Sequence, residues 1–104
     1  MMTKGLSPQD TQLLCEAILS LETVDECQRF LSDLCTVGEL QSFNQRFEVA
    51  LLLSEGKIYN DIMSRTGASS ATISRVNRSL QYGAGGYDAV FPRIIEEASA
   101  DGKV

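Results

Sequence analysis

The stretch YNDIMSRTGASSATISRVNRSL, residues 59–80, constrains this chain more than any other part of it. It reads as two short helices about a tight corner. The first carries Ile62 and Met63 on its inner side and stops at Gly67. Glycine enters the left-handed backbone region at little steric cost, which is what a helix stop requires. The second begins at the Ser69–Ser70 pair, either of which can accept a hydrogen bond from the open N–H groups of the next turn. Ile73, Val76 and Leu80 recur at helical spacing and form one apolar stripe.

Opposite that stripe fall Ala71, Arg75 and Arg78, with Thr72 and Ser79 flanking. This outer face is small, hydroxylic and cationic. Small side chains let a helix backbone approach base edges, and Arg supplies bidentate contacts to guanine or to phosphate. Helix–turn–helix with Gly in the turn is also the unit whose second helix enters the major groove of DNA. The same residues suit an ordinary amphipathic helix with solvated arginines, so the motif alone leaves both readings open.

The charge distribution favours the first. The chain has 104 residues, enough for one domain or one subunit of something larger, and a net charge of −5. Residues 1–40 hold two basic and seven acidic side chains, whereas residues 41–80 hold five basic and three acidic. The cationic share thus coincides with the two-helix corner. There is no His, so His-based acid–base chemistry and His-ligated metal are excluded. The three cysteines, Cys15, Cys27 and Cys35, form no CxxC and are odd in number, which indicates neither zinc nor a disulfide framework. Cys27 shares a helical stripe with Val24, Phe30 or Leu31, and Leu34, so the cysteines are expected to be buried free thiols. No leader pattern and no membrane-spanning apolar run is visible, which gives an expectation of a cytoplasmic protein without a membrane partner.

All segments read as helix, over about 7–21, 23–35, 37–55, 58–66, 69–80 and 88–98, as a single helical domain of residues 1–104. Ser7-Pro8-Gln9-Asp10, Thr23-Val24-Asp25-Glu26 and Thr36-Val37-Gly38-Glu39 are helix starts, the last two with the spacing of a capping box. The first helix uses Leu14, Ile18 and Leu21 as its stripe. The third uses Leu40, Phe43, Phe47, Ala50 and Leu51, and Gly56 is its expected stop. Residues 49–53 are all apolar, so that end should be buried on most sides, either at a subunit interface or as a central core helix. Residues 81–86 read as a linker. The last helix carries Val90, Phe91, Ile94 and Ile95, and Pro92 sets its start no earlier than about Asp88. Residues 1–5 and 100–104 are expected to be mobile.

Beyond these local readings, GASSATISRVNRSL (residues 67–80) and LCTVGELQSFNQRFEVALLLSEG (residues 34–56) resemble the tryptophan repressor superfamily, in particular its YerC/YecD-type branch of small bacterial regulators. The two segments cover nearly half the chain, and the helix order agrees over about residues 7–98. The resemblance implies an all-α, six-helix fold in an intertwined homodimer whose two recognition helices read a palindrome in double-stranded DNA. It implies that Ser69, Ser70, Ala71 and Thr72 approach base edges, with Arg75 beside them, and that Ser74 and Arg78 meet phosphates or outer bases. It further implies a small-molecule co-repressor site at Thr36, Arg46, Arg75 and Ser79. There Arg46 would hold a carboxylate with help from Thr36 of the partner subunit, Arg75 would stack on a planar ring, and Ser79 would accept from an ammonium group. One departure weighs against tryptophan itself: Val76 stands where the amino-acid-binding member has Gly. The segment between Gly56 and Gly67 also differs in length by one residue, which bears on how the first helix of the corner sits.

The function expected is a sequence-specific DNA-binding transcriptional regulator, a repressor, with no metal and no cofactor beyond that effector. The alternative is a helical protein-interaction module whose helix–turn–helix does not read DNA, which the overall negative charge would suit. Catalysis is not expected, because nothing assembles a nucleophile with a base and Glu96 and Glu97 are adjacent, pointing apart on a helix.

Overall fold

The computed structural model describes residues 5–100, with side chains described for residues 5–95. Among them are six α-helices and no strand. A 3-10 turn, Pro8–Thr11, leads into α1 (Gln12–Leu19), followed by α2 (Val24–Leu34), α3 (Val37–Ser54), α4 (Tyr59–Thr66), α5 (Ser70–Tyr82) and α6 (Gly86–Ala100). The expected mobility of the two ends falls almost wholly outside the described residues, and the side chains of Glu96 and Glu97 lie outside them too. The chain divides into two compact units, Met1–Phe43 and Asn44–Val104, with α3 running through the boundary.

In the first unit, local side chain–backbone bonds write the helix starts. Ser7 Oγ accepts from Asp10 N while Asp10 Oδ2 accepts from Ser7 N, with Pro8 following at the first helical position. Thr23 Oγ1 accepts from Glu26 N at 3.0 Å, but the Glu26 carboxylate reaches one residue further back than a standard box, to Glu22 N at 2.9 Å. Thr36 and Glu39 form the complete reciprocal pair, at 2.8 and 3.1 Å. Each box satisfies N–H groups that a helix start leaves open.

No residue of α1 or α2 is buried. Leu14 and Ile18 of the expected α1 stripe are exposed and Leu21 is half-buried, while Leu19 and Val24 are 84% and 75% exposed. The expectation of buried thiols is therefore corrected. All three cysteines are free, but Cys15 is exposed and Cys27 and Cys35 are half-buried. Periodicity identified their stripe correctly as apolar, yet two amphipathic helices within one chain supply too little facing surface to cover it.

The second unit holds the core, made of Val49 and Ala50 from α3, Ile62 from α4, Ala68 from the corner, Ile73 and Val76 from α5, and Phe91 from α6. Leu51, Leu52, Leu53, Leu80, Tyr87 and Ile94 pack against it, so the apolar end of α3 is a central helix of this unit. Burying each of the three large, fully enclosed side chains, Val49, Ile62 and Ile73, contributes about 1.5–3 kcal/mol. α3 ends where expected, with Gly56 N donating to Leu53 O and Lys57 N to Leu52 O, the paired bonds of a Schellman stop. In α4 only Ile62 faces the core. Met63, expected beside it, is 39% exposed, because the next residue along a helix turns about 100° away from its neighbour.

The last helix differs from expectation. Gln81 and Tyr82 complete α5 and Gly86 opens α6, so the connection shrinks to residues 83–85. Gly83 is tightly held: its N–H donates to Ser79 O at 2.9 Å, and a Cβ there would run into that same carbonyl. α6 starts two residues before Asp88 because Tyr87, Phe91 and Ile94 recur at helical spacing and pack together on the core. The Tyr87 and Phe91 rings stack at 5.4 Å, and Phe91 meets Phe47 of α3 edge-on at 5.6 Å. Pro92 sits on the exposed side in the second turn, where its missing N–H removes one bond, to the Asp88 carbonyl.

Between Ser69 and Ser70, the structure assigns the α5 cap to Ser69, whose Oγ accepts from Thr72 N at 3.1 Å. Ser69→Ala should therefore cost about 1 kcal/mol of stability in denaturant titration, and Ser70→Ala less than about 0.5 kcal/mol. Equal losses would reject the assignment. Ile62→Ala or Ile73→Ala, each emptying a fully buried site, should cost about 2–5 kcal/mol in the same titration.

Candidate nucleic-acid interface

The corner between α4 and α5 is built from three residues, each with a separate reason for its conformation. Gly67 takes the left-handed region at φ +73° and donates its N–H to Met63 O at 2.9 Å, ending α4. Ala68 is 3% exposed, small enough for the turn to settle onto the core. Ser69 is extended and begins α5, its carbonyl accepting from Ile73 N.

Two residues not singled out in the sequence tighten the corner. Thr66 Oγ1 donates to Ile62 O at 2.7 Å and accepts from Ala68 N at 3.1 Å, so one hydroxyl ties the last turn of α4 to the residue beyond its stop. Gln45 of α3 donates from Nε2 to Thr66 O at 3.2 Å. A Thr directly before a stop glycine is a readable signal for the first. The second joins residues 21 apart in sequence, and no local pattern announces it.

α5 sorts its faces as its sequence predicts. Ile73 and Val76 are buried and Leu80 is half-buried against the core. Ser69, Ser70, Ala71, Ser74, Arg75 and Arg78 are exposed, and Thr72 is half-buried at the flank. All seven residues expected to meet DNA thus belong to one helix and its cap. They are not equivalent. The Ser69 hydroxyl is already occupied, since it also donates to Thr72 Oγ1 at 3.1 Å.

α5 carries no Asp or Glu. Among the described residues no carboxylate forms an ion pair with Arg65, Arg75 or Arg78, whereas Arg29 of α2 pairs with Asp25 at 2.9 Å. Arg65, Arg75 and Arg78 are also exposed. Such a surface can clamp phosphates and hydrogen-bond guanine.

The residues expected to hold a co-repressor are distributed differently. Thr36 belongs to the first unit and is used as the cap of α3, with its hydroxyl accepting from Glu39 N. Arg46, Arg75 and Ser79 belong to the second unit and are exposed, Arg75 and Ser79 one turn apart on α5. Val76, next to Arg75, turns its side chain into the core. Among the described residues no group of three or more His, Cys, Asp or Glu is placed to hold a metal ion, and no helix is long and apolar enough to cross a membrane.

Comparison with known proteins agrees with this architecture. The family model described as Trp repressor protein matches residues 9–95. The uncharacterized protein YerC of Bacillus subtilis (strain 168) is 47% identical over 96 residues, 92% of each chain. A crystal structure of a TrpR-like protein from Eubacterium eligens superposes with a TM-score of 0.82 at 53% identity, covering 88% of this chain and 95% of that one. A candidate Trp repressor from Staphylococcus aureus superposes with a TM-score of 0.83 at 45% identity, covering 90% and 94%. The family is one of helix–turn–helix DNA-binding regulators, and with its match over nearly the whole described chain and its six-helix all-α fold, this chain belongs to the Trp repressor family.

Proposed function

We propose that this protein is a cytoplasmic transcriptional repressor that binds a palindromic operator in double-stranded DNA as a homodimer. The observation that carries the reading is the outer face of α5: exposed, free of acids, and bearing two arginines without carboxylate partners among the described residues. In this reading Ser70, Ala71 and Thr72 approach the bases with Arg75, Ser69 holds the helix start, and Ser74 and Arg78 meet the backbone. The net charge of −5 lowers affinity for arbitrary DNA, since that affinity comes from phosphate neutralisation.

Dimerisation is supported by the first unit. Leu13, Leu19, Val24, Leu34 and Val37 are each more than half exposed in the single chain. A second copy would cover them. Two reading heads about 34–36 Å apart would then meet successive major grooves on one face of the duplex.

The reading extends to a small-molecule co-repressor of open identity contacting Thr36, Arg46, Arg75 and Ser79. Arg75 is common to both residue sets, so a ligand there would couple to DNA affinity. The competing reading, an interaction module that does not use DNA, draws on the acidic first unit, and the salt dependence of retention separates the two.

Genomic fragments incubated with the purified protein at about 50 mM salt should be recovered selectively, with affinity falling steeply as salt rises. Recovery of nothing, or a salt slope near zero, rejects the DNA reading. Arg75→Ala should cost about 1–3 kcal/mol of operator binding and relax specificity at one position, and Arg78→Ala should weaken binding more uniformly across sequences. Thermal shift against the twenty amino acids and a small metabolite set tests the effector. A ligand at a hundredfold excess over its Kd should stabilise the dimer by about 2.7 kcal/mol. No shift with any of them, with DNA affinity unchanged, removes the co-repressor and leaves the DNA reading intact.

A further inference from the structure

The bonds at the corner between α4 and α5 are of two kinds. Gly67 N donates to Met63 O, Thr66 Oγ1 to Ile62 O, Ala68 N to Thr66 Oγ1 and Thr72 N to Ser69 Oγ. Each joins residues close in sequence and stiffens the end of α4, the turn and the start of α5 from within. None of them locates the corner on α3.

Placement on α3 comes from burial and from Gln45. Ile62, Ala68 and Ile73 are buried with Val49 and Ala50, but apolar burial is non-directional and permits small tilts of the helix pair. A hydrogen bond is directional. Gln45 lies one turn before Val49 on the same face of α3 and is half-buried. Its Nε2 donates to Thr66 O at 3.2 Å, and both residues belong to the second unit. Thr66 is the last residue of α4, where carbonyls lack intrahelical partners, so the amide meets an acceptor that the helix itself leaves open.

Tilt affects sequence reading far more than it affects charge. Ser70 to Arg78 spans about 12 Å of helix axis, so a tilt of about 10° at the corner moves the far end by about 2 Å. Contacts to base edges need placement within about 0.5 Å. Attraction between arginine and phosphate acts over a longer range and needs no single orientation.

We infer that Gln45 is a positioning residue for sequence recognition: its amide, bonded to the Thr66 carbonyl, sets the angle at which α5 stands against α3 and thereby the preference for one DNA sequence over another. Without that bond the corner samples several placements. Only a fraction of them can make specific contacts, and apparent operator affinity falls by that fraction. Affinity for arbitrary duplex stays where it was. The inference rests on the DNA-binding reading proposed above and adds to it a residue outside the helix–turn–helix.

The test uses the full-length protein. A duplex enriched from a random library at about 50 mM salt is compared with a scrambled duplex of equal length and composition. Gln45→Met keeps the side chain's size and removes the donor, whereas Gln45→Asn keeps the amide and falls short of the carbonyl. Both should lower the ratio of specific to scrambled affinity about fivefold, the net worth of one hydrogen bond, with the scrambled affinity and its salt slope unchanged. Gln45→Lys restores a donor of sufficient reach and should restore the ratio. Its added charge strengthens both duplexes alike and drops out of the comparison. A ratio within twofold of the unaltered protein's in the Met and Asn variants overturns the inference. So does an equal fall on both duplexes, or a ratio that Gln45→Lys leaves as low as the others. Loss of folding in both the Met and Asn variants would make Gln45 a residue of the fold and overturns it as well. If the unaltered protein enriches no duplex, the DNA reading itself fails, and this inference with it.

Discussion

The outer face of α5 can be presented only because its inner face is sealed. Ile73 and Val76 pack with Ile62, Ala68, Val49 and Ala50 in a core that, among the described residues, holds no buried polar side chain. Dispersion and burial there fix the helix against its neighbours, and close packing permits few alternative placements. Ala68 is the hinge of the arrangement. It is the corner residue that enters the core, so the turn is held by burial as well as by backbone geometry. Gly67 sets the direction of the chain, the Thr66 hydroxyl joins the two sides of the stop, and Gln45 anchors the corner to α3. A groove reader needs this redundancy, since a small displacement of the helix would misplace every contact at once.

Charge follows a separate logic. An acidic protein is an unexpected partner for a polyanion, and here the acids are kept off the helix that would touch it. The cations of the corner have no carboxylate partners among the described residues, while Asp25 and Arg29 neutralise each other on α2. Exposed charges interact weakly beyond about 8–10 Å at ordinary ionic strength. The local surface of α5 therefore matters more than the total, and under the proposed function the net negative charge lowers indiscriminate binding.

What was legible in the residues was what is local. The stop at Gly67, the stop at Gly56, the box at Thr36, the cap at Ser7 and the inner stripe of α5 each depend on residues within one or two turns. The early start of α6 was not legible, because Pro92 gives a strong local signal and Tyr87 acquires its importance only from Phe47 and Phe91 across the core. Met63 was misplaced for a related reason. A short helix has room for one inward residue, and which of two adjacent apolar side chains fills it depends on the surface opposite. That the seven residues expected to meet DNA lie on one helix and its cap was legible, but that the Ser69 hydroxyl engages both the backbone N–H and the hydroxyl of Thr72 was not.

The amino-acid sequence by itself determined the helices, their order, the corner and the polarity of α5, because hydrogen-bonding caps, glycine conformation and helical periodicity act over a few residues. The tertiary structure alone decided which apolar stripes become core. The stripe of α5 is enclosed by three other helices, while those of α1 and α2 lack sufficient facing surface within the chain and leave their leucines and cysteines open. Burial is a property of what lies opposite, and an apolar pattern states only that something should.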